Sequence, residues 1–160
     1  MYLPKRKNIR LRHFDYSRNG AYYITICIKD KQIWLWEADT VGARIARPIL
    51  TSVGKTIESA INGIPTYYSM VTVDKYVIMP NHLHLILVIN NDGRAMRAPT
   101  VSRVINQMKG YVTKQIGYSM WQKLFYDHII RDEEDYLRVW QYIDENPLKW
   151  KDDEYYCEKA

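Results

Sequence analysis

Cysteine is scarce in this chain of 160 residues: there is Cys27, inside an apolar run, and Cys157, near the end. Two thiols so far apart build neither a disulfide framework nor a cysteine-based zinc site, and a reducing cytoplasm is the expected compartment. Long apolar runs are missing as well. No segment approaches the roughly 20 residues of a membrane span, and the basic N-terminus continues into Arg10, Arg12 and His13 rather than a secretory apolar stretch. The expectation is a cytoplasmic protein with no membrane partner. Net charge is almost absent outside one place. The formal balance is +5, yet Lys5, Arg6, Lys7, Arg10, Arg12 and Arg18 face only Asp15 within residues 1–18, so the other 142 residues carry 17 charges of each sign. The excess is an N-terminal arm. Clustered Lys and Arg suit a phosphate backbone because binding releases its condensed counterions, which makes Lys5, Arg6, Lys7, Arg10 and Arg12 candidate DNA contacts. A solvated basic tail is the plainer alternative.

What is present, 47% hydrophobic and 26% charged residues, is enough to bury one core, so residues 1–160 are read as a single domain with a basic arm (1–18) and an acidic tail (151–160). Aromatic and β-branched residues over 20–29 predict a first strand. Apolar residues at helical spacing (Ile49, Val53, Ile57, Ala60, Ile61) predict a helix over 49–61, ending at Asn62-Gly63. Residues 66–79 and 82–89 read as two strands joined tightly through Pro80-Asn81, hence an antiparallel pair. An apolar stripe predicts a second helix over 102–116 that Gly117 ends, and 124–131 reads as a short strand. Asp132 then caps a third helix that finishes near Asn146, before Pro147. The acids Glu133, Glu134 and Asp135 are read as favourable charge at that helix start rather than as a metal site. The order β-α-β-β-α-β-α predicts an α+β, ferredoxin-like fold with a central antiparallel sheet and flanking helices. Two similar stretches, 41–48 and 93–99, read as surface loops whose arginines are either solvated or in contact with DNA.

Chemistry concentrates in two places. His82 and His84 are two apart in a predicted strand, so both imidazoles leave the same sheet face and can share one ion. Apolar residues on both faces of that strand predict that it is central and covered, and a buried imidazole pair needs a ligand or hydrogen-bond partners. A third histidine two residues further is lacking, since that position is Ile86, which excludes a histidine-triad phosphohydrolase. On the third helix Tyr142 and Asn146 are four apart and lie one above the other. Asn146 offers a carbonyl oxygen to a hard divalent ion, and Tyr142 a phenol that needs activation because its ordinary pKa is about 10. Most of the 14 tyrosines will simply pack; Tyr111, followed at four residues by Gln115, is the runner-up nucleophile.

The run Tyr76-Val77-Ile78-Met79-Pro80-Asn81-His82-Leu83-His84-Leu85 resembles the His-hydrophobic-His motif of HUH nucleases in small insertion-sequence (IS200-like) transposases. Trp121-Gln122, Phe125-Tyr126-Asp127-His128-Ile129-Ile130-Arg131-Asp132 and Tyr142-Ile143-Asp144-Glu145-Asn146-Pro147-Leu148-Lys149 resemble the C-terminal block of the REP-associated tyrosine transposases. The resemblance spans nearly the whole chain. It implies an HUH fold, a metal site for Mg²⁺ or Mn²⁺ formed by His82, His84 and Asn146, and a catalytic Tyr142 on a C-terminal helix. It further implies cleavage and rejoining of single-stranded DNA beside hairpins (REP-like palindromes) through a covalent 5′-phosphotyrosine, by a monomer or by a homodimer with exchanged tyrosine helices. His128, on the neighbouring strand, is read either as a positioning residue for DNA or tyrosine or as structural. The alternative from another class is a domesticated protein that binds hairpin DNA or RNA without cutting.

Overall fold

The computed structural model describes residues 11–41, 47–93 and 97–158. Lys5, Arg6, Lys7 and Arg10 of the arm, and residues 42–46 and 94–96 of the two arginine-bearing loops, lie outside the described residues. Seven main elements follow the predicted order: β1 (Gly20–Cys27), α1 (Ser52–Tyr67), β2 (Val71–Ile78), β3 (His82–Ile89), α2 (Val101–Ile116), β4 (Tyr126–Ile130) and α3 (Glu133–Glu145). The four strands form one antiparallel sheet in the order β2-β3-β1-β4, the ferredoxin-like arrangement. Among the described residues no helix is long and apolar enough to cross a membrane.

Side-chain alternation gives the sheet two different faces. Leu83, Leu85 and Leu87 of β3, with Tyr22, Ile24 and Ile26 of β1, enter a large core closed by Ile57, Ile61 and Ile64 of α1 and Val104, Ile105 and Met108 of α2. The opposite face carries His82 and His84, and only a small apolar cluster: Ile86 of β3 against Val139 and Ile143 of α3. Both helix pair and tyrosine helix therefore dock on one sheet, from opposite sides. Gly117 ends α2 in a left-handed conformation, φ +86°, and Asp132 caps α3 by accepting from the Asp135 amide at 2.8 Å.

Two boundaries differ from the sequence reading. The first helix starts at Ser52 rather than 49 and runs through Asn62-Gly63 and even Pro65 to Tyr67, so Thr66 and Tyr67 are helical rather than strand and β2 begins only at Val71. Ile64, almost fully buried, extends the apolar stripe another turn. Its packing outweighs the roughly 1 kcal/mol helix penalty of glycine, and Pro65, inside the helix, leaves the Ile61 carbonyl without its helical amide partner. Thr51 caps the start through Oγ1, which accepts from the Gly54 amide at 3.1 Å.

Candidate active site

The pleat of β3 fixes where the histidines point, and Asn81 fixes the tautomer of His82. Both rings are fully buried. Asn81 donates from Nδ2 to the Tyr155 carbonyl at 2.9 Å, which orients its amide so that Oδ1 accepts from His82 Nδ1 at 2.8 Å. His82 thus carries its proton on Nδ1 and turns a bare Nε2 toward the site. His84 Nδ1 lies 2.8 Å from Tyr23 Oη and 2.9 Å from Thr25 Oγ1, and Thr25 is its cross-strand partner on β1. The two Nε2 atoms are 3.0 Å apart. Burial pushes both imidazoles down, His82 well below the ordinary range, with His84 beside it adding to the effect, and His84 to about 3. Both are neutral at neutral pH, as metal ligation requires.

α3 brings its residues to the same place. The Tyr142 ring lies 5.4 Å from the His84 ring and edge-on to Tyr23 at 6.3 Å. Asn146, at the end of the helix, is 3% exposed, and its Oδ1 has no hydrogen-bond partner. The helix is held against its own sheet by the small apolar cluster and by the bulge in β2 between Val73 and Lys75. There Tyr136 donates to Asp74, and Lys75 pairs with Asp144 at 2.5 Å while lying 3.8 Å over the Trp140 ring. Burial, and then the nearby Asp153 carboxylate, push the Tyr142 phenol up to about 12. Unaided it is a poor nucleophile.

One part of the site lies in the acidic tail. After α3 the chain turns through a short 3-10 helix, Asn146–Asp152, and folds back over the histidines. Asp153 Oδ2 comes within 3.8 Å of His82 Nε2, and Tyr142 donates to the same oxygen at 3.4 Å. The Tyr155 ring covers His82 at 4.6 Å, and Cys157 Sγ donates to the Lys31 carbonyl at 3.3 Å. Ligand atoms of His82, His84 and Asp153 all lie within 4.8 Å of one another. Two imidazole Nε2 atoms, a carboxylate and an orphaned amide carbonyl form a donor set that fits a divalent cation. An open cleft of about 920 Å³ adjoins it, with Tyr23, Tyr126, Arg138 and Tyr142 among its walls.

Sequence reasoning paired His82, His84, Tyr142 and Asn146, and the structure brings all four together. It did not find Asp153, Tyr155, Asn81 or Tyr23, whose hydrogen bonds span up to 76 residues of chain. The acidic run Asp152-Asp153-Glu154 was the one available signal. Tyr111 sits on α2, against the face of the sheet opposite the histidines. His128 Nε2 lies 2.8 Å from Asp135 Oδ2, so the acids that start α3 tie the helix to β4. Arg12, the one DNA-contact candidate of the arm within the described residues, is exposed.

No family model matches the chain. An uncharacterised protein of Haemophilus influenzae strain Rd is 33% identical across 96% of this chain and 94% of its own length. A second Haemophilus influenzae protein, assigned as a REP-associated tyrosine transposase, is 25% identical across 84% of this chain and 74% of its own. The solved structure of a REP-associated tyrosine transposase bound to a REP hairpin superposes with a TM-score of 0.63 at 20% identity, covering 88% of this chain and 73% of that one. A Deinococcus radiodurans protein assigned as a transposase superposes at 0.51 with 14% identity, over 84% of this chain and 95% of that one. Motif, fold and relatives point the same way: in sequence and in fold the chain is similar to the REP-associated tyrosine transposases.

Proposed function

We propose that this chain cleaves and rejoins single-stranded DNA beside hairpins through a covalent bond to Tyr142, as a metal-dependent single-tyrosine transposase. The observation that carries the reading is the convergence, within one chain, of a helix tyrosine on two buried neutral histidines and an unpartnered Asn146 carbonyl. His82, His84 and Asn146 would hold Mg²⁺ or Mn²⁺. Bound there, the ion supplies charge to a non-bridging oxygen of the scissile phosphate and steadies the transition state.

The protein's own contribution is positional. Asn81 and the Tyr23–Thr25 pair fix both imidazole planes through their Nδ1 atoms. α3 holds the phenol at the mouth of the cleft, and Tyr142, 41% exposed, stays open to an incoming strand. In the reaction the phenol loses its proton and its oxygen forms a bond to phosphorus. The bond from phosphorus to the 3′-oxygen breaks, and that oxygen takes up a proton to leave as a hydroxyl. The phosphodiester energy stays in the phosphotyrosine, so reversal rejoins DNA without a nucleotide cofactor. The arm would add non-specific affinity.

The test is a hairpin oligonucleotide taken from beside the gene, labelled downstream of the cut. With Mg²⁺ or Mn²⁺ it should shift to a denaturant-resistant adduct, which Tyr142→Phe should abolish without loss of folding or DNA affinity. Tyr111→Phe should still form it. An adduct that survives Tyr142→Phe would show that the nucleophile lies elsewhere, and a wild-type protein that binds the hairpin yet never forms one would make it a non-cleaving binding protein.

A further inference from the structure

We infer that Asp153 is a direct ligand of the divalent ion, so that the C-terminal segment is part of the metal centre. The inference rests on the proposed function, and adds a charged ligand that the His82, His84 and Asn146 set does not contain.

Distances come first. For an ion with bonds of about 2.1 Å in octahedral geometry, neighbouring ligand atoms stand about 3.0 Å apart and opposite ones about 4.2 Å. The His82 and His84 Nε2 atoms are 3.0 Å apart, the spacing of neighbouring ligands. Asp153 Oδ2 stands 3.8 Å from His82 Nε2, and the three donors lie within 4.8 Å of one another.

Charge is the second reason. The Asp153 side chain is 1% exposed, and among the described residues it pairs with no Lys or Arg. Among the described residues its one basic neighbour within 4 Å is the imidazole of His82, whose Nδ1 proton is already given to Asn81. A buried carboxylate with no counter-charge is costly. The histidines and Asn146 have the complementary defect, because three neutral ligands leave a dication uncompensated. One ion removes both costs. The orphaned Asn146 Oδ1 of the same site points independently to a cation.

The chain around Asp153 is built to present it. The Tyr155 amide donates to Asp153 Oδ1 at 2.7 Å, which leaves Oδ2 facing the histidines, and Asn81 grips the Tyr155 carbonyl at 2.9 Å. Asn81 thus holds His82 with one end of its amide and the Asp153 segment with the other. Tyr142 donates to the same Oδ2, so the proposed ligand and the nucleophile already touch. Binding of the ion should order the segment after Asp153 as well as the histidines.

The full chain without DNA, titrated with Mn²⁺ and followed by electron paramagnetic resonance and calorimetry, tests this directly. Wild type should bind one ion, His82→Ala should abolish binding, and Asp153→Asn should weaken it by at least about tenfold, since ligand charge sets the affinity of such sites. Asp153→Glu should retain more affinity than Asp153→Asn. Circular dichroism on the metal-free variants checks the fold, and the isosteric Asn keeps the packing of the segment. Mn²⁺ should slow amide exchange over 153–157 in wild type and not in Asp153→Asn. Unchanged Mn²⁺ affinity in Asp153→Asn, with binding lost in His82→Ala, overturns the inference and leaves the proposed function standing. A wild-type protein that binds no Mn²⁺ overturns both.

Discussion

Ile143→Ala should free the tyrosine helix while leaving the rest of the fold in place. Ile143 is 1% exposed and meets only Val139 and Ile86 among fully buried residues, in a cluster separate from the main core. Truncating a buried Ile to Ala costs about 2–5 kcal/mol, and a sparsely surrounded site that can partly collapse falls near the low end, about 2–3 kcal/mol. The polar contacts of α3, among them Tyr136 with Asp74 and His128 with Asp135, are the same in both proteins and do not offset that loss. The Lys75–Asp144 pair, 23% and 53% exposed, is worth at most about 1 kcal/mol, and Lys75 over Trp140 about 0.5–1 kcal/mol. At about 1.4 kcal/mol per factor of ten, local opening of α3 should become roughly 30- to 150-fold more frequent. Native-state hydrogen exchange reads this residue by residue. Amides in the middle of α3 should exchange faster by that factor, and those of β1 and β3 facing the main core should not change. Equal acceleration across the sheet would show that the two clusters melt as one, and an unaltered α3 would show that polar contacts hold the helix; either result refutes the account.

Two further outcomes are expected. In the metal-free protein both histidines resist protonation when folded and accept it near the ordinary value of 6.5 when unfolded. The unfolded chain therefore binds more protons below that pH. Stability should fall as pH drops from about 6.5, by up to about 1.4 kcal/mol per unit for each histidine. Denaturant midpoints at pH 7, 6 and 5 measure this, and a flat profile would contradict the buried neutral pair. Deleting residues 1–12 should flatten the dependence of log K on log salt for single-stranded DNA, at about 0.7 per lost phosphate contact. An unaltered slope would make the arm a solvated tail.

β3 was legible from its residues alone, because a short run with six apolar residues in eight is bounded by Pro80-Asn81 and Asn90-Asn91. α2 and α3 were legible for a similar reason, each carrying its own cap and an apolar stripe. The end of α1 was not. Asn62-Gly63 is a local stop signal, and only the burial of Ile64 by a distant partner overrides it. The candidate site divides in the same way. His82 with His84, and Tyr142 with Asn146, are two and four residues apart, so backbone periodicity predicts their faces. Asp153 follows an irregular turn after Pro147, and its place is set by Asn81, far back in the chain. No local pattern records such a contact.

The seating of α3 on its own sheet has a consequence for stoichiometry. With α3 seated on the sheet of its own chain, each chain would carry one point of covalent attachment under the proposed chemistry. Under the proposed chemistry a lone molecule can hold only one DNA end at a time. Excising a segment and sealing the gap involves two cuts, which leaves two routes: successive turns by the same molecule, with the first end released or passed on before the second is taken, or two molecules gathered by the DNA itself, one at each hairpin.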